Sequence, residues 1–318
     1  MTAYSPQHPG QSRFITARGF RHHAWCWGPC ETDGSVPADG LPPLVLLHGW
    51  MDVAASFHFM VDVLIQAQGH AHRPVIAVDW RGFGDTESPP CDTYWHPDYL
   101  ADVDALLDVL APHQPVDLLG HSMGGNIAMA YAGVRPARIR RLINLEGFGL
   151  PASHPRQAPA RYARWLDELK APVSLRPYPT ADGVAARLMK NNPLLPPERA
   201  AWLALQWARR KEDGLWHVRA DPAHKRIHPV LYQKDEATAC WAKITAPVLW
   251  VEGAQTDFFG IGGEGNPWWG DAYPRTEFDE RLSVVPRIER QVLADAGHML
   301  HHDQPEALAA AVLAFITA

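Results

Sequence analysis

Cysteine is scarce: Cys26, Cys30, Cys91 and Cys240 are the four in 318 residues, too few for the disulfide framework of a small secreted domain. Three residues, Trp27-Gly28-Pro29, separate Cys26 from Cys30. Redox-active pairs place two there, so dithiol chemistry is not expected. No stretch approaches the ~18 uninterrupted apolar residues of a membrane span, which argues against an integral membrane protein. The first residues, MTAYSPQHPGQSRF, hold neither a charged nor an apolar leader region, so a cytoplasmic location is the expectation. Strong positive charge is also missing. The formal total is -6, which gives no reason to expect a nucleic-acid partner. The 17 His form no His-Glu-x-x-His and no spaced His/Cys set, so neither a metal nor another cofactor is expected. Internal repeats and low-complexity tracts are absent as well.

What is present is apolar: 47% hydrophobic residues and 13 Trp exclude a disordered chain. The length suits either one core with an insertion or two cores. Short apolar runs closed by turn residues, with helical patterns between them, read as a mostly parallel α/β sheet. After two N-terminal strands at Arg13–Arg18 and Phe20–Trp27 come Pro43–His48, Pro74–Asp79, Pro115–Gly120, Arg141–Glu146, Pro247–Glu252 and Arg290–Ala294. Between Glu146 and Pro247 no convincing strand occurs. Helical patterns at Pro159–Leu169, Thr180–Lys190 and Pro197–Arg210 mark a helical insertion, read as a cap. The domains expected are therefore a core of residues 1–149 and 246–318 and a cap of residues 150–245. A Gly-rich stretch, Phe258–Pro274, ending in Trp268-Trp269-Gly270, is long enough to suggest a functional lid or disorder. The insertion holds 16 Lys/Arg against 9 Asp/Glu and the remainder 13 against 26, so the cap is +7 over a body of -13. A solvated face complementary to the body is the simpler meaning; attraction of an anionic substrate is the other.

The strongest chemical signal is Gly120-His121-Ser122-Met123-Gly124-Gly125, directly after the strand and directly before the helical run NIAMAYAG. A serine on a sharp strand-to-helix turn is held in a strained conformation, and the flanking glycines remove side chains that would clash there. Its hydroxyl then stands above the sheet edge, where the Met123 amide can stabilise an oxyanion. Serine needs a base within hydrogen-bond reach. His298, in the loop after the final strand and before the helix Pro305–Ile316, shares that sheet edge and is the expected base; His301 and His302 are read as facing solvent or backing the site. The loop after Pro43–His48 offers the Trp50 amide as the second oxyanion donor, and His48 is expected to bond that loop. Asp79, Arg81 and Asp85 are expected to fix their own loop by hydrogen bonds. The insertion's Trp165, Trp202, Trp207, Trp216 and Trp241, with Trp268 and Trp269, make an apolar acyl or aromatic substrate group plausible, although most are expected to pack within the cap itself.

The order HGW, DWRGFGDTE (Asp79–Glu87), GHSMGG and GHMLHHDQPE (Gly297–Glu306) resembles the α/β-hydrolase superfamily over nearly the whole chain. The segments Glu146–Pro151 and Trp216–Pro222 resemble its serine hydrolase-like branch. The resemblance implies an eight-stranded, mostly parallel sheet with helices on both faces, a Ser-His-acid triad and a helical cap inserted after the sixth strand. The acid has two main candidates. Asp257 follows the seventh strand, one residue later than is usual in the superfamily, and Glu146 ends the sixth, where the serine hydrolase-like branch carries its acid. The reading favours Glu146, with Asp257 as the alternative and Glu252 a remote third. The expected activity is hydrolysis of a small-molecule carboxylic ester or related acyl bond. Carbon–carbon bond, amide and perhydrolysis chemistry fit the same triad, and a non-catalytic ligand receptor on this fold is the further alternative. Epoxide hydrolases and dehalogenases of the superfamily use an aspartate nucleophile, so Ser122 argues against both.

Overall fold

The computed structural model describes residues 4–68, 73–256 and 274–318. An eight-stranded sheet is built from β1 (Gln11–Ala17), β2 (Phe20–Trp27), β3 (Leu44–Leu47), β4 (Val75–Val78), β5 (Val116–His121), β6 (Ile139–Leu145), β9 (Val248–Gly253) and β10 (Ile288–Leu293), in the order β1-β2-β4-β3-β5-β6-β9-β10. The first two strands form an antiparallel hairpin, and β2 also runs antiparallel to β4; every later pairing is parallel. The expected mostly parallel architecture is therefore present.

The central strands are buried along their whole length, as strands covered on both faces must be. Alternation sends Val45, Leu47, Ile76, Val78 and Leu118 into one apolar layer with helices α2 (His96–Leu110) and α3 (Met123–Val134). Leu44, Leu46, Val75, Ala77 and Leu119 enter the opposite layer, against α1 (His58–Gln68) and the C-terminal helix Pro305–Thr317. Each Val, Leu or Ile among them contributes about 1.5–3 kcal/mol on burial, so both faces of the sheet are committed to helices.

Between β6 and β9 lie α4 (Ala158–Lys170), α5 (Ala181–Asn191), α6 (Pro197–Trp207) and α7 (Lys234–Trp241). A short antiparallel hairpin, β7 (Ala208–Arg210) with β8 (Trp216–Val218), lies in the same segment. This corrects the strand-free expectation: the helical pattern extended to Arg210 breaks after Trp207, and β7 begins at once. Val184, Leu188, Leu203 and Trp207 form an apolar cluster that reaches into the body through Val53, Ala55 and Phe59. A second attachment is polar. Asp85 pairs with both Arg209 and Arg219, the Gly84 amide donates to the Arg219 carbonyl at 2.9 Å, and the Asp221 amide donates to the Gly82 carbonyl at 2.8 Å.

The tryptophans divide accordingly. Trp241 is buried in the body's core, Trp202 packs against Tyr4 and Phe59, and Trp165 donates to Thr93 Oγ1 at 2.8 Å. Asp257 and all of the Phe258–Pro274 stretch but Pro274 itself, Trp268 and Trp269 included, lie outside the described residues. Among the described residues no helix is long and apolar enough to cross a membrane.

Loop and helix are joined by charge at Asp102, fully buried on α2, which accepts from Arg81 Nη2 at 2.6 Å and from Arg18 Nη1 at 2.9 Å. Removing one partner of a buried pair leaves uncompensated charge. Asp102→Ala is expected to destabilise the fold by about 3–5 kcal/mol, measured by urea denaturation; a loss below about 1 kcal/mol would mean the two guanidinium groups find water instead.

Candidate active site

Parallel register puts the functional groups on one edge. His121 pairs with Leu145 across β5 and β6, and Leu145 pairs with Val251 across β6 and β9, so Ser122 and Glu146 each leave the sheet one residue past matched positions. The Ser122 amide donates to the Leu145 carbonyl at 2.8 Å and the Glu146 amide to the Val251 carbonyl at 3.2 Å, extending the ladder by one rung. Both residues take left-handed backbone angles, φ 51° at Ser122 and 54° at Glu146, which L-residues other than glycine adopt only under constraint. At Ser122 the constraint is visible: a Cβ on Gly124 would sit 2.1 Å from the Leu47 carbonyl oxygen, so α3 can start this close to β3 only with glycine there.

The third group arrives from the loop after β10. His298 Nδ1 lies 2.6 Å from Glu146 Oε2, with the carboxylate fully buried and the imidazole about one-third exposed. The other oxygen, Oε1, accepts from the Gly253 amide at 2.7 Å and the Thr256 hydroxyl at 2.6 Å. A carboxylate on Nδ1 fixes the tautomer and leaves Nε2 to exchange a proton with a neighbouring hydroxyl. Glu252, by contrast, accepts from Trp250 Nε1 at 3.2 Å and Arg275 Nη2 at 2.8 Å, so it is engaged elsewhere. Ser122 and His298 line one cavity of about 850 Å³, with Trp50 beside them and Leu175, Leu188, Leu195 and Trp207 contributed by the insertion.

The loop carrying Trp50 passes directly alongside the serine. A Cβ on Gly49 would come 3.3 Å from Ser122 Cβ and 2.9 Å from His121 Nδ1, so this approach also requires glycine. Met123 opens α3 immediately after Ser122, where unpaired helix amides collect. His48 is locked within the same loop: Nδ1 donates to the Gly49 carbonyl at 2.7 Å and Nε2 accepts from the Trp80 amide at 3.2 Å. Asp79 takes the amides of Ala54 at 2.7 Å and Asp85 at 3.1 Å.

Behind the site sits a layer of histidines, and of the two placements expected for His301 and His302 it is the one backing the site that holds. His301 and His302 do not face solvent; they are 0% and 2% exposed. His121 Nε2 donates to the His298 carbonyl at 2.8 Å, and the His121 ring packs 4.9 Å from His298 and 4.6 Å from His301. Asp52, which accepts from Ser56 Oγ at 2.8 Å, lies 3.7 Å from His301 Nε2. Burial alone would raise the Asp52 carboxyl, but the His301 ring beside it, with His302 and His48 nearby, holds it well below the usual carboxylate range. Asp52, His121 and His301 thus bring one ligand-type atom each within 4.8 Å of one another. The sequence signals were the His before the serine and the double His, but nothing local ties either to Asp52. The Thr256 and Gly253 contacts were equally hidden, since a hydroxyl and an amide carry no motif.

A family model described as alpha/beta hydrolase fold matches residues 42–305, and the chain belongs to that family. Among curated relatives, the sn-1-specific diacylglycerol lipase ABHD11 of Danio rerio is 25% identical over 277 residues, 86% of this chain and 78% of that one. A serine hydrolase-like protein of Dictyostelium discoideum is 29% identical over 182 residues, 55% of this chain but 46% of that relative. Among solved structures, a thioesterase domain from the curacin biosynthetic pathway superposes with TM-score 0.79 at 24% identity, covering 96% of this chain and 99% of that one, a likeness of fold. The chain is accordingly a hydrolase of the lipase and esterase kind.

The buried rings set a pH dependence. Burial, with the nearby His301, holds His121 well below the ordinary imidazole value; burial does the same to His302, and pushes His58 down to about 4 and His224 to about 3. Unfolded chains protonate such rings near pH ~6.5, whereas the folded protein keeps them neutral, so the unfolded state binds more protons as pH falls. Stability present above about pH 6.5 is therefore expected to be lost progressively below it, by up to ~1.4 kcal/mol per pH unit for each ring. Urea midpoints at about pH 7.5, 6 and 5 measure this, and an unchanged midpoint contradicts it.

Proposed function

We propose that this protein hydrolyses a small-molecule carboxylic ester or related acyl bond through an acyl-enzyme on Ser122, with His298 as base and Glu146 as the acid that orients it. The observation that carries the reading is the 2.6 Å contact between His298 Nδ1 and a buried Glu146 carboxylate beside the cavity that Ser122 and His298 both line. Ser122 Oγ attacks the acyl carbon while His298 Nε2 takes its proton. The developing oxyanion is received by the Trp50 and Met123 amides. Collapse expels the alcohol, which leaves with the proton from His298. Water then attacks the acyl-enzyme, giving its proton to His298; release of the carboxylic acid restores the Ser122 hydroxyl.

Residues 150–245 act as a cap on the body of residues 1–149 and 246–318. The cap side chains that line the cavity support this reading, and their largely apolar character favours an apolar acyl group. The diacylglycerol lipase among the relatives supports an ester as the bond cleaved.

A fluorophosphonate probe is expected to label Ser122 in the folded protein and to abolish turnover of p-nitrophenyl esters. Glu146→Gln is expected to lower kcat by ~10⁴ while leaving the fold intact, because the imidazole loses its oriented tautomer. Full activity in that variant would return the acid's place to Asp257, and absence of any Ser122 adduct would overturn the hydrolytic reading.

A further inference from the structure

The cavity is not electrically neutral. Of the charged side chains that line it among the described residues, Arg176, Arg187 and Lys225 are cationic and all come from the insertion, whereas the one carboxylate among them, Asp52, is buried and bonded to Ser56 Oγ and the Val53 amide. The three cations are exposed at the cavity's edge. Many of the insertion's other basic groups are already engaged: Arg164 with Glu168, Arg199 with the His302 carbonyl, Arg209 and Arg219 with Asp85, and Arg226 with the Asp92 carbonyl. Neither the Arg176 nor the Arg187 side chain has a hydrogen bond or ion pair with a described residue, and Lys225 Nζ has only the Ser174 carbonyl, at 3.3 Å.

Both arginines stand on backbone that is fixed. Arg176 precedes Pro177, and the next residue, Tyr178, exchanges two backbone hydrogen bonds with Trp216, at 2.8 and 2.7 Å. Arg187 lies on α5, whose first turn is capped by Thr180 Oγ1 accepting from the Gly183 amide at 3.1 Å, and it precedes Leu188, which lines the same cavity. Guanidinium groups held this way suit carboxylate or phosphate oxygens, which they bind in pairs of charge-assisted hydrogen bonds. The excess of +7 on the insertion is thus directed, in part, into the space above Ser122.

We propose that the substrate carries an anionic group, a carboxylate or a phosphate, which Arg176 and Arg187, with Lys225 beside them, receive at the edge of the cavity while the acyl carbon sits at Ser122. The inference rests on the ester-hydrolase reading of the site. It adds that the acyl part is apolar near the carbonyl and that one end of the substrate, acyl or leaving group, is charged.

The test compares matched substrates in the intact protein. One pair is p-nitrophenyl hydrogen adipate against p-nitrophenyl hexanoate, which places a carboxylate on the acyl end. The other is S-butyryl phosphopantetheine against S-butyryl pantetheine, which places a phosphate on the leaving group. The Arg176→Gln/Arg187→Gln double variant is expected to lower the anionic-to-neutral ratio of kcat/KM about tenfold in one of the pairs, as two partly exposed ion pairs would. The corresponding double Lys variant should keep only the part of the ratio that charge alone supplies, falling between the wild type and the double Gln variant, and added salt should narrow the ratio in the wild type. The pair that responds identifies the charged end. A ratio identical in wild type and the double Gln variant for both pairs overturns the proposal. Should the wild type cleave none of the four and show no Ser122 adduct, the ester-hydrolase reading fails by itself. The anion site is then judged by calorimetric titration of adipate and of phosphopantetheine: binding that the double Gln variant loses supports it, and no binding overturns it.

Discussion

The Glu146 carboxylate is the point at which three separate parts of the chain are joined. One oxygen meets His298 from the loop after β10, and the other takes the Gly253 amide and the Thr256 hydroxyl at the end of β9, while the residue itself closes β6. Removed from water, a carboxylate needs such partners to remain charged. Here all of them come from the edge of the sheet, so solvation of this one group and assembly of the site are the same event.

That arrangement works because register precedes chemistry. Parallel strands rise by about 3.3 Å per residue, and a shift of one residue reverses every side chain. The pairings of Leu145 with His121 and with Val251 therefore fix both the height and the direction in which Ser122 and Glu146 emerge. The committed apolar layers on both faces hold the register. The histidine layer beneath the site adds a second fastening, since the His121 bond to the His298 carbonyl ties the strand that bears the serine to the loop that bears the imidazole.

Much of this was legible in the sequence for a simple reason: strands buried on both faces leave continuous apolar runs, and the sharp turn at Ser122 demands glycines that stand out against them. Elements shorter or more polar than these were not legible. The strands β7 and β8 hold three residues each and follow an unbroken helical pattern, so periodicity carried no sign of them. Burial of His301 and His302 runs against the usual preference of polar residues for water, and Asp52, which meets His301 at 3.7 Å, lies some 250 positions earlier in the chain, where no local pattern ties it to them. The choice between Glu146 and Asp257 turned on family likeness, because either strand end could supply a carboxylate; the geometry supplies a contact from His298 to Glu146.

The insertion departs from the body within a few residues of Glu146, and the exit is pinned twice. The Gly147 amide donates to Asn144 Oδ1 at 2.8 Å, and the Gly149 amide donates to Asn126 Oδ1 at 2.7 Å. Asn144 belongs to β6 and is fully buried, and Asn126, partly buried, belongs to α3. The two asparagines thus hold the chain at two points between the Glu146 carboxylate and the start of the insertion.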